Sequence, residues 1–187
     1  MDAKLIIILL LCLALAGCEA IKKRLTTPLS ALDHPPTEVR ARINRYLPAA
    51  LDWYNQSEQQ LYTQGRRLTV PEQVIARQMG VAQPQNVRVL VTPRFPLPID
   101  PELRRASLRY GIGNPLEGGR TMGYVILIKP NSAQDKTVLA HELVHVGQIE
   151  RLGKPAFLQR YLTELEMVTY ARSPLEREAY RKEKLVK

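Results

Sequence analysis

Apolar positions along the 187-residue chain change their spacing several times, and each change marks an element. Val39, Ile43, Leu47, Leu51, Tyr54 and Leu61 recur at steps of three, four or seven, which lines them along one side of a helix. Thr37 is placed to cap that helix at Glu38, and Pro48 predicts a kink or a break into two helices. Pro71 opens a short helix through about Met79, which Gly80 ends. The stretch NVRVLVTP, Asn86–Pro93, alternates and is rich in β-branched residues, so it reads as a strand. Residues 93–123 carry prolines, then glycines, and read as loop. Tyr124–Ile128 is a continuously apolar strand, stopped by Lys129 and Pro130. After a turn at 131–136, a helix runs from about Thr137 to Arg151, and Gly153 and Pro155 break it. The next helix sets Phe157, Leu158, Tyr161, Leu162, Leu165 and Val168 on one side, and Ser173-Pro174 opens a last, basic one. Several helices around a short sheet make the expected class α+β, in one domain over residues 37–187.

The start of the chain follows a different pattern. Lys4 precedes an apolar run, residues 5–16, too short for a confident membrane span and laid out as an export signal. LAGC, Leu15–Cys18, resembles the lipobox of bacterial lipoprotein precursors. That resemblance implies a signal peptide over residues 1–17 and a lipid on Cys18. Glu19 after the cysteine implies transfer to the outer membrane, facing the periplasm. A plain signal ending in a chance cysteine is the alternative. Residues 19–36 read as a tether, and His34 within them as a solvated loop histidine. Cys12 and Cys18 are the only cysteines, so a chain beginning at Cys18 has no pair to oxidise and depends on its core.

A formal net charge of +9 is compatible with acidic partners or an anionic surface, and solvated basic faces are its ordinary reading. No run of lysine and arginine is interleaved with aromatics, so nucleic acid is not an expected partner.

LAHELVHVGQ, residues 139–148, carries the candidate chemistry. His141 and His145, four apart on a helix, share one face and can bring two imidazole nitrogens to one metal ion. Glu142 lies about 100° around the helix, where it can take a proton from water without being a ligand. Leu139, Leu143, Val144 and Val146 would bury such a helix. HExxH is the spacing of a zinc site with a carboxylate base. Gln148 and Arg151 stand where HExxHxxGxxH would place its glycine and third histidine, which rules out that class. The chain resembles instead the gluzincin-type zinc metallopeptidases, whose third ligand is a glutamate on a later helix, often in Glu-x-x-Ala.

Glu176 and Ala179 in SPLEREAY supply that pattern over the last third of the chain. The resemblance implies a zincin-like fold with zinc on His141, His145 and Glu176, and Glu142 as general base for hydrolysing peptide bonds. Glu178 is a rival ligand, with an ion pair to Lys182 as its ordinary use. Ser173-x-x-Glu176 also fits a capping box. Tyr180 replaces the acidic residue that many gluzincins place after that alanine. Tyr161, Tyr170, Tyr180 or an arginine could stabilise an oxyanion. Tyr124–Ile128 is the expected edge strand for a peptide substrate, and residues 111–123 either frame the cleft or only connect strands. The alternative function is a catalytically inactive envelope lipoprotein with a structural zinc site or a basic binding surface.

Overall fold

The computed structural model of the chain describes Glu19 and residues 22–186. The expected signal peptide, residues 1–17, and Cys18 lie outside them. Among the described residues, no helix is long and apolar enough to cross a membrane. Six α-helices are labelled here: α1 (Thr37–Tyr62), α2 (Val70–Met79), α3 (Pro101–Arg109), α4 (Lys136–Leu152), α5 (Lys154–Met167) and α6 (Pro174–Lys182). They pack on a sheet of β1 (Arg66–Arg67), β2 (Arg88–Val91), β3 (Gly119–Met122) and β4 (Val125–Ile128). The fold is α+β. Strand order is β1-β2-β4-β3, with β2 and β4 parallel and the outer pairs antiparallel.

Most elements follow their apolar spacing. α1 is one helix through Pro48, with Pro36 before it and no side-chain cap from Thr37. Ile43 and Tyr54 are buried, and Leu47 and Leu51 pack with Phe157 and Leu158 of α5. That contact on both sides of Pro48 compensates the amide the proline cannot donate.

Residues 93–123 depart most from expectation. They contain α3 and β3. Asp100 Oδ1 accepts from Leu103 N at 2.7 Å, and Pro101 takes the first helical position, so Asp-Pro-Glu is a helix start rather than a loop.

The glycine-rich stretch ends as a hairpin strand. Met122 pairs with Val125 across a two-residue turn in which Gly123 has φ +66°. Gly123 N donates to Tyr54 Oη at 2.8 Å and Tyr124 N to Glu58 Oε1 at 2.7 Å, so α1 grips this turn. Lys154 is paired with the same Glu58.

The sheet also corrects the expected edge. Val125–Ile128 is covered on both faces and flanked by β2 and β3, so its apolar run belongs to an interior strand. The free edge next to α4 is β3. Residues 19–36 likewise do more than span: residues 22–26 are helical. Arg24 donates to the carbonyls of Leu165 and Val168, and Arg172 donates back to those of Arg24, Leu25 and Thr27.

α4 runs through the middle of the molecule. Every residue from Leu139 to Ile149 is buried, between the sheet, α2, α5 and α6. A Cβ on Gly147 would stand 2.8 Å from the carbonyl oxygen of Gly80, so the backbone after α2 approaches α4 where only hydrogen fits. Gly147→Ala is therefore expected to destabilise the fold by about 1–3 kcal/mol. Urea unfolding that shows no loss would contradict this close approach.

Candidate metal centre and its cleft

Two helix starts set the geometry. Asp135 Oδ1 caps α4 by accepting from Thr137 N at 2.8 Å. Ser173 caps α6, accepting from Glu176 N at 3.3 Å. Buried Glu164 on α5 accepts from Ser173 Oγ at 2.6 Å and from Leu175 N at 3.0 Å, which ties α6 to its neighbour. The Glu176 carboxylate turns inward instead of completing a capping box. Its Oε2 lies 3.2 Å from His141 Nε2, and its Oε1 lies 3.6 Å from His145 Nε2. The two Nε2 atoms are 3.2 Å apart. His141, His145 and Glu176 thus form a buried group that could hold a metal ion, one ligand atom from each lying within 4.8 Å of the others. Glu178 is outside it, occupied by Gln148, Arg151 and Lys182.

Hydrogen bonds behind the rings select their tautomers. His141 Nδ1 is 2.7 Å from Glu183 Oε2, a carboxylate that can only accept. His145 Nδ1 is 2.8 Å from Gln148 Oε1. The Gln148 amide nitrogen donates to the Leu175 carbonyl at 3.0 Å and to Glu178 Oε2 at 3.1 Å, so its oxygen must face His145. Both rings are therefore protonated at Nδ1 and direct an Nε2 lone pair inward. Two lone pairs and a carboxylate meeting in a buried space suit a cation, and without one they compete for a proton. This donor set fits a metal ion.

The titration behaviour agrees. Burial lowers the His141 pKa, but hydrogen bonds to Glu176 and Glu183 and the nearby carboxylates outweigh it and raise it to about 9. Burial raises the Glu176 carboxyl, yet its bonds to both histidines hold it well below the usual range. Burial pushes Glu142 up, against the two imidazoles and the Thr121 hydroxyl.

Glu142 sits beside the group on the same helix. Its Oε2 is 2.7 Å from Thr121 Oγ1 on β3. A Cβ on Gly119 would come within 2.8 Å of the Glu142 side chain, so the edge strand leaves room for that carboxylate by having no side chain there. In front lies a cleft of about 690 Å³, lined on its far side by Tyr46, Trp53, Leu103, Leu158 and Leu162. Residues 110–119 form part of its wall, so this stretch both frames the cleft and leads into a hairpin.

The candidate oxyanion donors separate. Tyr161 Oη donates to Glu176 Oε1 at 2.7 Å and is committed to the ligand. Tyr180 stands edge-on to His141, ring centres 4.8 Å apart, with Tyr170 edge-on behind it. Arg120, the arginine in the cleft wall, is held by Glu117 and the Pro96 carbonyl.

Gln148, Thr121, Glu164 and Glu183 were not singled out in the sequence. Gln148 follows His145 by three, and Glu183 follows Glu176 by two turns. Helical spacing carries that signal, whereas Thr121 and Glu164 have no local one. No protein-family model, curated protein or solved structure matches the chain.

Two outcomes follow from this geometry. The His141 pKa is raised above its unfolded value near 6.5, so its contribution to stability is complete below that pH and disappears as pH rises through about 9. Metal-free protein is therefore expected to melt lower at pH 10 than at pH 6.5, as followed by circular dichroism; an unchanged midpoint contradicts the pairing. Glu183→Ala should weaken metal affinity about 10–100-fold, with Glu183→Gln losing less because its amide oxygen still accepts from Nδ1. Competition with a metal-sensitive dye measures both.

Proposed function

We propose that this chain is a zinc-dependent metallopeptidase, of the gluzincin type that HELVH and the later Glu-x-x-Ala resemble. The observation that carries the reading is the joining of two features. A buried His141–His145–Glu176 group faces an open cleft, and a carboxylate held by the edge strand stands at its side. A purely structural zinc site usually closes its fourth position with protein. Three protein donors facing a cleft favour turnover over the structural alternative.

When bound, the ion supplies Lewis acidity to a scissile carbonyl and to water. The chain supplies the rest. Glu142 accepts a proton from the attacking water as the water oxygen bonds to the carbonyl carbon. It returns that proton to the leaving nitrogen as the C–N bond breaks. Thr121 orients the carboxylate for both transfers. Its raised pKa, caused by burial, brings it closer to the pH at which a group both takes and gives a proton. Tyr161, Gln148 and Glu183 hold the three donors in register. β3 is the sheet edge beside the group and offers its backbone to an extended peptide around Gly119, the Thr121 carbonyl already accepting from Tyr54 Oη at 3.1 Å, and the apolar wall of the cleft receives a side chain and excludes water.

The substrates are taken to be proteins or peptides of the bacterial cell envelope. The LAGC sequence supports a lipid on Cys18 and attachment to the outer membrane, facing the periplasm.

The deciding measurement is metal content beside peptide hydrolysis. Wild-type protein should hold one zinc per chain, and His145→Ala none. Glu142→Gln should keep the metal and lose about 10²–10⁴-fold in turnover. A well-folded wild type that takes up no zinc would overturn the metal reading. A Glu142→Gln variant with undiminished hydrolysis would overturn the mechanism.

A further inference from the structure

The segment around α3 has no part in the metal centre, yet it carries the two most exposed large apolar side chains described, Ile99 and Leu116. Ile99 is 94 % exposed, Leu116 91 % and Leu108 52 %. A Cβ on Gly113 would touch both Leu97 and Leu108, so the loop after α3 folds back over the helix end and the strand of chain before it. Ile99 is two residues from that contact and Leu116 three, at most about 7 and 11 Å along the chain.

The surrounding charge is basic. Residues 94–120 hold five arginines against three acids. Each acid is already engaged: Asp100 caps α3, Glu102 pairs with Arg45, and Glu117 pairs with buried Arg120; Arg109 pairs with Glu166, which leaves Arg94, Arg104 and Arg105 as the arginines of the segment outside an ion pair among the described residues. Leu103 and Ser107 are the buried positions of α3. Arg104, Arg105 and Leu108 are all exposed, and at 100° per residue they fall within one 100° sector of α3. Arg94 is exposed in the preceding loop.

We infer that this apron, the outer face of α3 with the loops on either side, docks on an anionic membrane surface. Ile99, Leu108 and Leu116 enter the headgroup boundary, and Arg104 and Arg105 pair with lipid phosphates. Isolated aliphatic side chains standing out between arginines suit a lipid interface, where apolar insertion and charge attraction add. A protein partner is favoured by a flatter continuous patch. The loop of this apron also walls the cleft. Docking therefore brings the cleft mouth to the bilayer, next to the membrane-proximal parts of envelope proteins. The inference is independent of the metal reading.

Hydrogen–deuterium exchange on the full chain, reconstituted in lipid vesicles, tests it. Amides of residues 97–117 should exchange more slowly with phosphatidylglycerol present than in pure phosphatidylcholine. One arginine at an anionic surface is worth about fivefold in partitioning. Arg104→Glu with Arg105→Glu, or Ile99→Ser with Leu116→Ser, should abolish the slowing while α4 amides keep wild-type exchange, which shows the fold intact. Equal exchange in both vesicles overturns the inference. Slowing that instead grows with protein concentration in the absence of lipid also overturns it, and assigns the apron to a second copy of the chain.

Discussion

Three electron-rich atoms, two imidazole nitrogens and a carboxylate oxygen, are held against one another in a space with little water. That arrangement is unfavourable unless a positive charge joins it, so the protein must spend packing and hydrogen bonds to maintain it. The surrounding structure is organised around this constraint. α4 is buried along eleven consecutive residues, so its histidines cannot swing away. Glu183 and Gln148 fix the rings from behind, and Tyr161 fixes the carboxylate. Among the described residues, no buried side-chain nitrogen or oxygen is left without a partner.

The supports of the two histidines are unequal. His141 is backed by a carboxylate and His145 by an amide whose own nitrogen is anchored. A carboxylate behind an imidazole makes that ring the stronger electron donor, whereas an amide mainly orients it. Tyr180, after Ala179, supplies no carboxylate behind the ring. Support arrives from Glu183, three residues on, and Tyr180 covers the edge of the His141 ring. Edge strand and helix are coupled in the same way. Thr121 holds Glu142, and Gly119 leaves the space it occupies, so the sheet edge and the carboxylate beside the group belong to one local arrangement.

Legibility followed the range of the interactions. The motif helix, the helix from Pro155 and the β4 segment were visible because their apolar periods are set by residues a few positions apart. α3 was hidden among prolines although Asp100-Pro101 states its start. Local rules were sufficient there, and the density of prolines outweighed them. β3 was hidden for a different reason: GRTM has no strand-like alternation of its own, and it becomes a strand by pairing with β4 across the Gly123 turn. The Tyr124–Ile128 run identified a strand correctly but said nothing of its neighbours.

The sequence by itself determined the helix that carries His141, Glu142 and His145, because their spacing places them by the helical repeat alone. It also put Glu176 forward as the third donor with Glu178 as its rival, without excluding another residue, and a helix can turn only one of those two to the centre. Tertiary structure decided between them. Gln148, Arg151 and Lys182 draw Glu178 outward, and the Glu164 tie to Ser173 and Leu175 sets the angle at which α6 presents Glu176. It alone decided the edge strand, the tautomers of both rings and the shape of the cleft. Those depend on contacts between residues twenty or more positions apart, and no local period in a chain records which distant side chain will arrive.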